Sequence, residues 1–181
     1  IVARYLQRGQ IATLLLDLLT PDEAEDRRKV FDIDLLTDRV LLANAWITHD
    51  DRTKSLDIGY FGASTGAGAA LQAVARDPSS IVAVVSRGGR PDLAEPYLQS
   101  VTAPTLLIVG GDDEPVIEMN RTAYRLLACP KRLVIVPGAS HLFEEPGTLE
   151  QVAAHALAWF HRYFHPAPHE DGVTTTKESH R

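Results

Sequence analysis

The sequence holds a single cysteine, Cys129, and a single methionine among its 181 residues. One thiol excludes an internal disulfide framework and suits a reducing compartment. Its place before Pro130 and a strand-like run marks it as a buried structural thiol. Basic charge is also in short supply, and the formal net charge is −6. That balance argues against nucleic acid or an anionic membrane as a partner. No apolar run is long enough to cross a bilayer. No secretory signal opens the chain, so a cytoplasmic location is the expectation. No histidine pair shows helical ligand spacing with a carboxylate, and no lysine follows a Walker-type glycine loop. Neither a metal nor a cofactor is expected. An initiator methionine is missing too. The opening Ile1-Val2-Ala3-Arg4-Tyr5-Leu6 reads as the middle of an amphipathic helix, so the expectation is a domain incomplete at its N-terminal edge.

What is present is ordinary globular composition, 45% hydrophobic and 23% charged, enough for one domain with a sizeable core. That domain is expected over residues 1–164. Residues 165–181 form a polar tail without periodicity, expected to be disordered.

Apolar runs of strand length alternate with amphipathic stretches. The expected strands are Ile11–Leu19, the run that ends at Phe61, Ile81–Val85, Pro104–Val109 and Arg132–Val136. The expected helices are Val2–Arg8, Leu35–Asp50 with Trp46 in the core, a helix from after Ser64 to about Arg76, Val116–Ala128 and Gly147–Phe164. Asp22–Asp34 reads as a solvated loop or short helix, and Leu93–Val101 as a short helix and loop. The alternation calls for an α/β fold, a mainly parallel sheet with helices on both faces. In such sheets ligands bind at the carboxyl ends of the strands.

The stretch Gly62-Ala63-Ser64-Thr65-Gly66 lies between a strand and a helix and has the form G-x-S-x-G. A nucleophile elbow has that form, with serine at a strained apex and the following helix aimed at the reaction site; a glycine-rich strand-to-helix turn without chemistry has it too. Glycines 62 and 66 are expected to remove clashing Cβ atoms, and Gly68, Ala69, Ala70 and Ala73 to let the helix approach the sheet. A phosphate site at the helix N-terminus would also use such a turn. Two further polar breaks follow strands, Asp112-Asp113 and His141, and should lie along the same sheet edge as Ser64.

Ser, Asp and His in that order is the order of the α/β-hydrolases. The chain resembles that superfamily up to Phe164. The spacing of GASTG, SRGGRPDL, PTLLIVGGDDEPV and PGASHLFEEPG resembles the dienelactone-hydrolase-like group in particular. The resemblance implies a serine hydrolase acting on a small-molecule ester, with Ser64 as nucleophile, His141 as general base and acid, and Asp113 orienting His141. Family spacing favours Asp113 over Asp112, with Glu114 a weaker candidate. The resemblance also implies an oxyanion donor at the Thr65 N–H. A second donor would come from a His-Gly loop that this sequence does not contain, expected to lie before Ile1. Dienelactone hydrolases proper carry cysteine at the nucleophile position, so general ester cleavage rather than lactone specificity is carried over. Arg87 and Arg90 flank two glycines and are candidates for holding a substrate carboxylate; pairing with Asp92, Glu95 or the acidic loop at Asp112 is the structural alternative. The competing functional reading is a non-catalytic binding module on the same fold.

Overall fold

A computed structural model describes residues 1–165. The tail expected to be disordered lies outside the described residues, apart from His165. Four strands form one parallel sheet in the order β1 (Gly59–Ala63), β2 (Ala83–Arg87), β3 (Thr105–Gly110) and β4 (Lys131–Val136). Helices cover both faces. On one side lie α1 (Val2–Arg8) and α7 (Thr148–Tyr163), packed on Val85, Leu106, Ile108 and Val136. On the other lie α5 (Thr65–Arg76), a 3₁₀ segment (Pro91–Ser100) and α6 (Glu114–Leu126), around Leu71, Val84, Leu98 and Leu107. α4 (Ile33–His49) packs outside α5. Alternate residues of each central strand therefore point into opposite cores, which is why these strands read as unbroken apolar runs.

The fully buried Leu71 sits at the centre of the second core. Leu71→Ala is expected to cost about 2–5 kcal/mol, because a well-packed site collapses only partly around the void. Urea denaturation of the two proteins, read at unchanged m-value, checks this.

Two expectations fail here. Ile11–Leu19 joins no sheet; it passes from the α1/α7 side, where Ile11 packs, to the α4/α5 side, where Leu18 and Leu19 pack. β1 is an edge strand of the sheet, and no ladder among the described residues links it to this run. Leu14, Leu15 and Leu16 consequently remain exposed. An apolar run becomes a strand only where a neighbour takes up its backbone N–H and C=O groups. Trp46 is not core but 55% exposed. α4 buries the stripe Ile33, Leu36, Thr37 and Asn44. Trp46 lies about 200° round the helix from Asn44, on the far side.

The Asp22–Asp34 region forms two one-turn helices, α2 (Pro21–Ala24) and α3 (Arg27–Val30). Thr20 and Glu23 close a capping box on α2, and Asp26 caps α3. Arg39 of α4 grips both carboxylate oxygens of Glu23 at 2.6 and 2.8 Å and donates to the Leu18 carbonyl at 2.5 Å. The Arg39 guanidinium holds the Glu23 carboxyl well below the usual range.

Cys129 is buried beside the Thr105 hydroxyl, and burial pushes its thiol pKa up. An inert structural thiol was the expectation.

Candidate active site at the carboxyl edge of the sheet

Because all four strands run parallel, the loops after β1, β3 and β4 open on one edge. Ser64 follows β1, Asp113 follows β3, and His141 follows β4.

Ser64 has φ 49 and ψ −123, outside the usual regions for a side-chain-bearing residue. Such a conformation costs on the order of 1–3 kcal/mol and persists only where the surroundings enforce it. Two neighbours do so. The Ser64 N–H donates to the Arg87 carbonyl at 3.3 Å, and the Arg90 N–H donates to the Ser64 carbonyl at 3.0 Å. Gly62 is required, since a Cβ there would lie 2.6 Å from both the Ala67 Cα and the Gly66 carbonyl oxygen. Gly66 is not required on that ground: a Cβ there meets nothing within 4 Å. It sits in the first turn of α5 and faces open space. Gly68 allows close approach of the loop after β2 rather than of the sheet, its Cβ position being 2.9 Å from the Arg90 carbonyl. Ser64 makes no side-chain cap to α5, and Thr65 is the first residue of that helix.

The His141 Nδ1 and the Asp113 Oδ2 are 2.7 Å apart, with the carboxylate largely buried and the imidazole partly open. Asp113 occupies the N-cap position of α6 but gives no side-chain cap there, so its carboxylate is available to the histidine. The imidazole rests on Gly88, whose hypothetical Cβ would lie 3.6 Å from His141 Nδ1 and Cε1. Gly88 has φ +50, a conformation that suits glycine. Among the described residues the Ser64 Oγ makes no hydrogen bond, to His141 or to any other group.

Loop order behind His141 comes from a residue that sequence reading passed over. The Ser140 N–H donates to Glu145 Oε2 at 3.0 Å, and that bond holds the Glu145 carboxyl below the usual glutamate range. A carboxylate depressed in the folded state contributes stability above its unfolded pKa and loses it as pH falls through the folded one. Glu145→Gln should therefore lower the melting temperature at neutral pH, with the difference closing below about pH 4. Thermal melts at several pH values test this.

The two candidate arginines differ. Arg90 is held by Asp92 through bonds of 2.9 and 2.7 Å, the pairing that was the structural alternative, and its guanidinium lies 5.8 Å from the Phe31 ring. Arg87 has no carboxylate partner among the described residues. It reaches the His141 carbonyl at 3.5 Å, lies 5.6 Å from the Phe143 ring, and leaves a buried Nε without a partner. Burial pulls its pKa down.

A parallel sheet between helical layers, with a strained serine turn and a His–Asp pair at its carboxyl edge, defines the α/β-hydrolase class. Within that class the chain belongs to the dienelactone-hydrolase-like family. A solved dienelactone hydrolase from Anabaena variabilis is 56% identical with a TM-score of 0.85, covering 91% of this chain and 78% of that one. The fold extends to more distant proteins. Est1E from Butyrivibrio proteoclasticus is 17% identical with a TM-score of 0.71, over 88% of this chain and 80% of that one. An esterase domain from Rhodothermus marinus is 19% identical with a TM-score of 0.70, over 90% and 78%. A Mycobacterium tuberculosis H37Rv protein provisionally named a phosphoribosyl transferase is 57% identical over 159 residues, 88% of this chain. The chain spans only 36% of that relative's length. No family model matches the chain. Among the described residues no helix is long and apolar enough to cross a membrane.

Proposed function

We propose that this domain is a serine hydrolase that cleaves a carboxylic ester, or a related acyl bond, of a small molecule. The observation that carries the reading is the His141–Asp113 bond of 2.7 Å on the same sheet edge as the strained Ser64. A serine hydroxyl is a poor nucleophile at neutral pH and needs a base to take its proton. His141 supplies that base through its free Nε2, while Asp113 fixes the tautomer and stabilises the imidazolium that forms. Attack by Ser64 Oγ on the ester carbonyl gives a tetrahedral oxyanion facing the start of α5, where the Thr65 N–H is the donor assigned to it. His141 then passes its proton to the departing alcohol, and water repeats the sequence on the acyl-enzyme. Arg87, which lacks an acidic partner among the described residues, is a better candidate than Arg90 for contact with an anionic substrate. The transferase name borne by the mycobacterial relative belongs to a protein of which this chain covers about a third; nothing in the proposed chemistry draws on it.

The second reading is a binding module on the same fold. The unbonded Ser64 Oγ favours it, although hydroxyl–imidazole bonds in unliganded hydrolases are often long and tighten only with substrate. Labelling with a fluorophosphonate, followed by mass mapping, separates the two. The hydrolase reading expects the adduct on Ser64; an unlabelled, folded protein supports the binding module.

A further inference from the structure

α6 buries an apolar stripe of Val116, Ile117 and Ala123, and one polar residue interrupts it. Asn120 is 0% exposed. Its Nδ2 donates to the Gly89 carbonyl at 3.0 Å and to the Val116 carbonyl at 2.8 Å, while its Oδ1 is buried without a partner among the described residues. Both neighbours of Nδ2 are carbonyl oxygens, so the amide orientation is fixed by chemistry: the reverse orientation would set oxygen against oxygen. Burying an amide with one end unsatisfied is costly, and a leucine would fill a stripe position without that cost. The compensating feature is the group Asn120 holds.

Gly89 belongs to the loop after β2, and that loop touches both Ser64 and His141. Arg87 and Arg90, on either side of the two glycines, form the pair of backbone bonds that clasp Ser64. Gly88 carries the His141 ring. Gly89 itself is wedged against the Ser86 Oγ and the Ala67 Cβ, with its Cβ position 2.0 and 2.7 Å from them. Asp113 is the N-cap residue of the helix that carries Asn120. One side chain thus connects the helix of the acid to the loop that sets the nucleophile.

Resting on the serine-hydrolase reading, we infer that Asn120 is a positioning residue that sets the register between the Asp113–His141 pair and the Ser64 elbow. It touches no reacting atom. It acts through the Gly89 carbonyl, and the reaction depends on it because small misplacements of a nucleophile and its base reduce rate steeply.

The test compares two variants of equal shape, Asn120→Thr and Asn120→Val. They differ only in the hydroxyl, which can donate a hydrogen bond to a neighbouring carbonyl. Each is reacted with a fluorophosphonate, and reversible affinity is separated from the rate of bond formation. Asn120→Val should slow bond formation by roughly 10–100-fold with little change in affinity. Asn120→Thr should recover roughly 3–10-fold of that loss, the worth of one hydrogen bond. The control is Asn44→Val on α4: Asn44 is also a buried asparagine with an orphaned Oδ1, bonded to Ser80 at 2.8 Å. It should lower the melting temperature and leave the labelling rate unchanged. Equal rates for Asn120→Thr and Asn120→Val, or a folded Asn120→Val that labels at the parental rate, would overturn the proposal. Failure of the parent protein to label overturns the hydrolase reading instead and is recognised by that alone.

Discussion

Ser64→Ala is expected to abolish fluorophosphonate labelling and to lower kcat on a short-chain p-nitrophenyl ester by on the order of 10⁶-fold, by analogy with serine proteases stripped of their nucleophile. The size of the effect follows from the mechanism. Without Oγ no acyl-enzyme forms, and what remains is whatever Thr65 and the site's shape offer to direct attack by water. The substitution should not harm folding. Ser64 makes no side-chain cap to α5, so the methyl group loses no partner. Alanine must still adopt the positive φ, as serine does now. Circular dichroism and a thermal melt establish that the variant is folded, and full esterase activity in it would end the serine-hydrolase proposal.

His141→Ala is expected to cost about as much, because nucleophile and base act as a unit and removing either disables both. The neighbouring carboxylates then discriminate between structural roles. Asp113→Asn should cost less than His141→Ala but still on the order of 10⁴-fold, since an amide at 2.7 Å from Nδ1 favours the wrong tautomer without removing the base. Asp112→Asn should be close to neutral, because the only carboxylate bonded to His141 among the described residues is that of Asp113. The four proteins are to be assayed side by side on the same ester. A large loss in Asp112→Asn with Asp113→Asn intact would keep the mechanism and move the orienting acid by one residue.

Chain order alone determined a good deal. Alternating apolar runs and amphipathic stretches specify parallel strands covered on both faces, because only a crossover connection returns the chain to the same sheet edge. β2, β3 and β4 and helices α4 to α7 fall within a few residues of where periodicity puts them. Strand-end positions also place Ser64, Asp113 and His141 on one edge before any coordinate is known. Glycine at 62 is legible for the same reason: the turn is tight and local, and every atom involved lies within five residues.

Tertiary structure decided whatever depends on a distant neighbour. Ile11–Leu19 has the composition of a buried strand, yet burial requires a partner, and sequence does not say whether one is beside it. Trp46 looks like core until the packing of α4 against α5 chooses which stripe faces inward. The surroundings of Arg87 and Arg90 separate only when Asp92 closes on one of them. Asn120 and Glu145 carried a faint signal at most, a polar residue in the apolar stripe of α6 and a glutamate five positions after Ser140. Their partners, the Gly89 carbonyl and the Ser140 N–H, are backbone groups, and the sequence of side chains does not record where a backbone group will point.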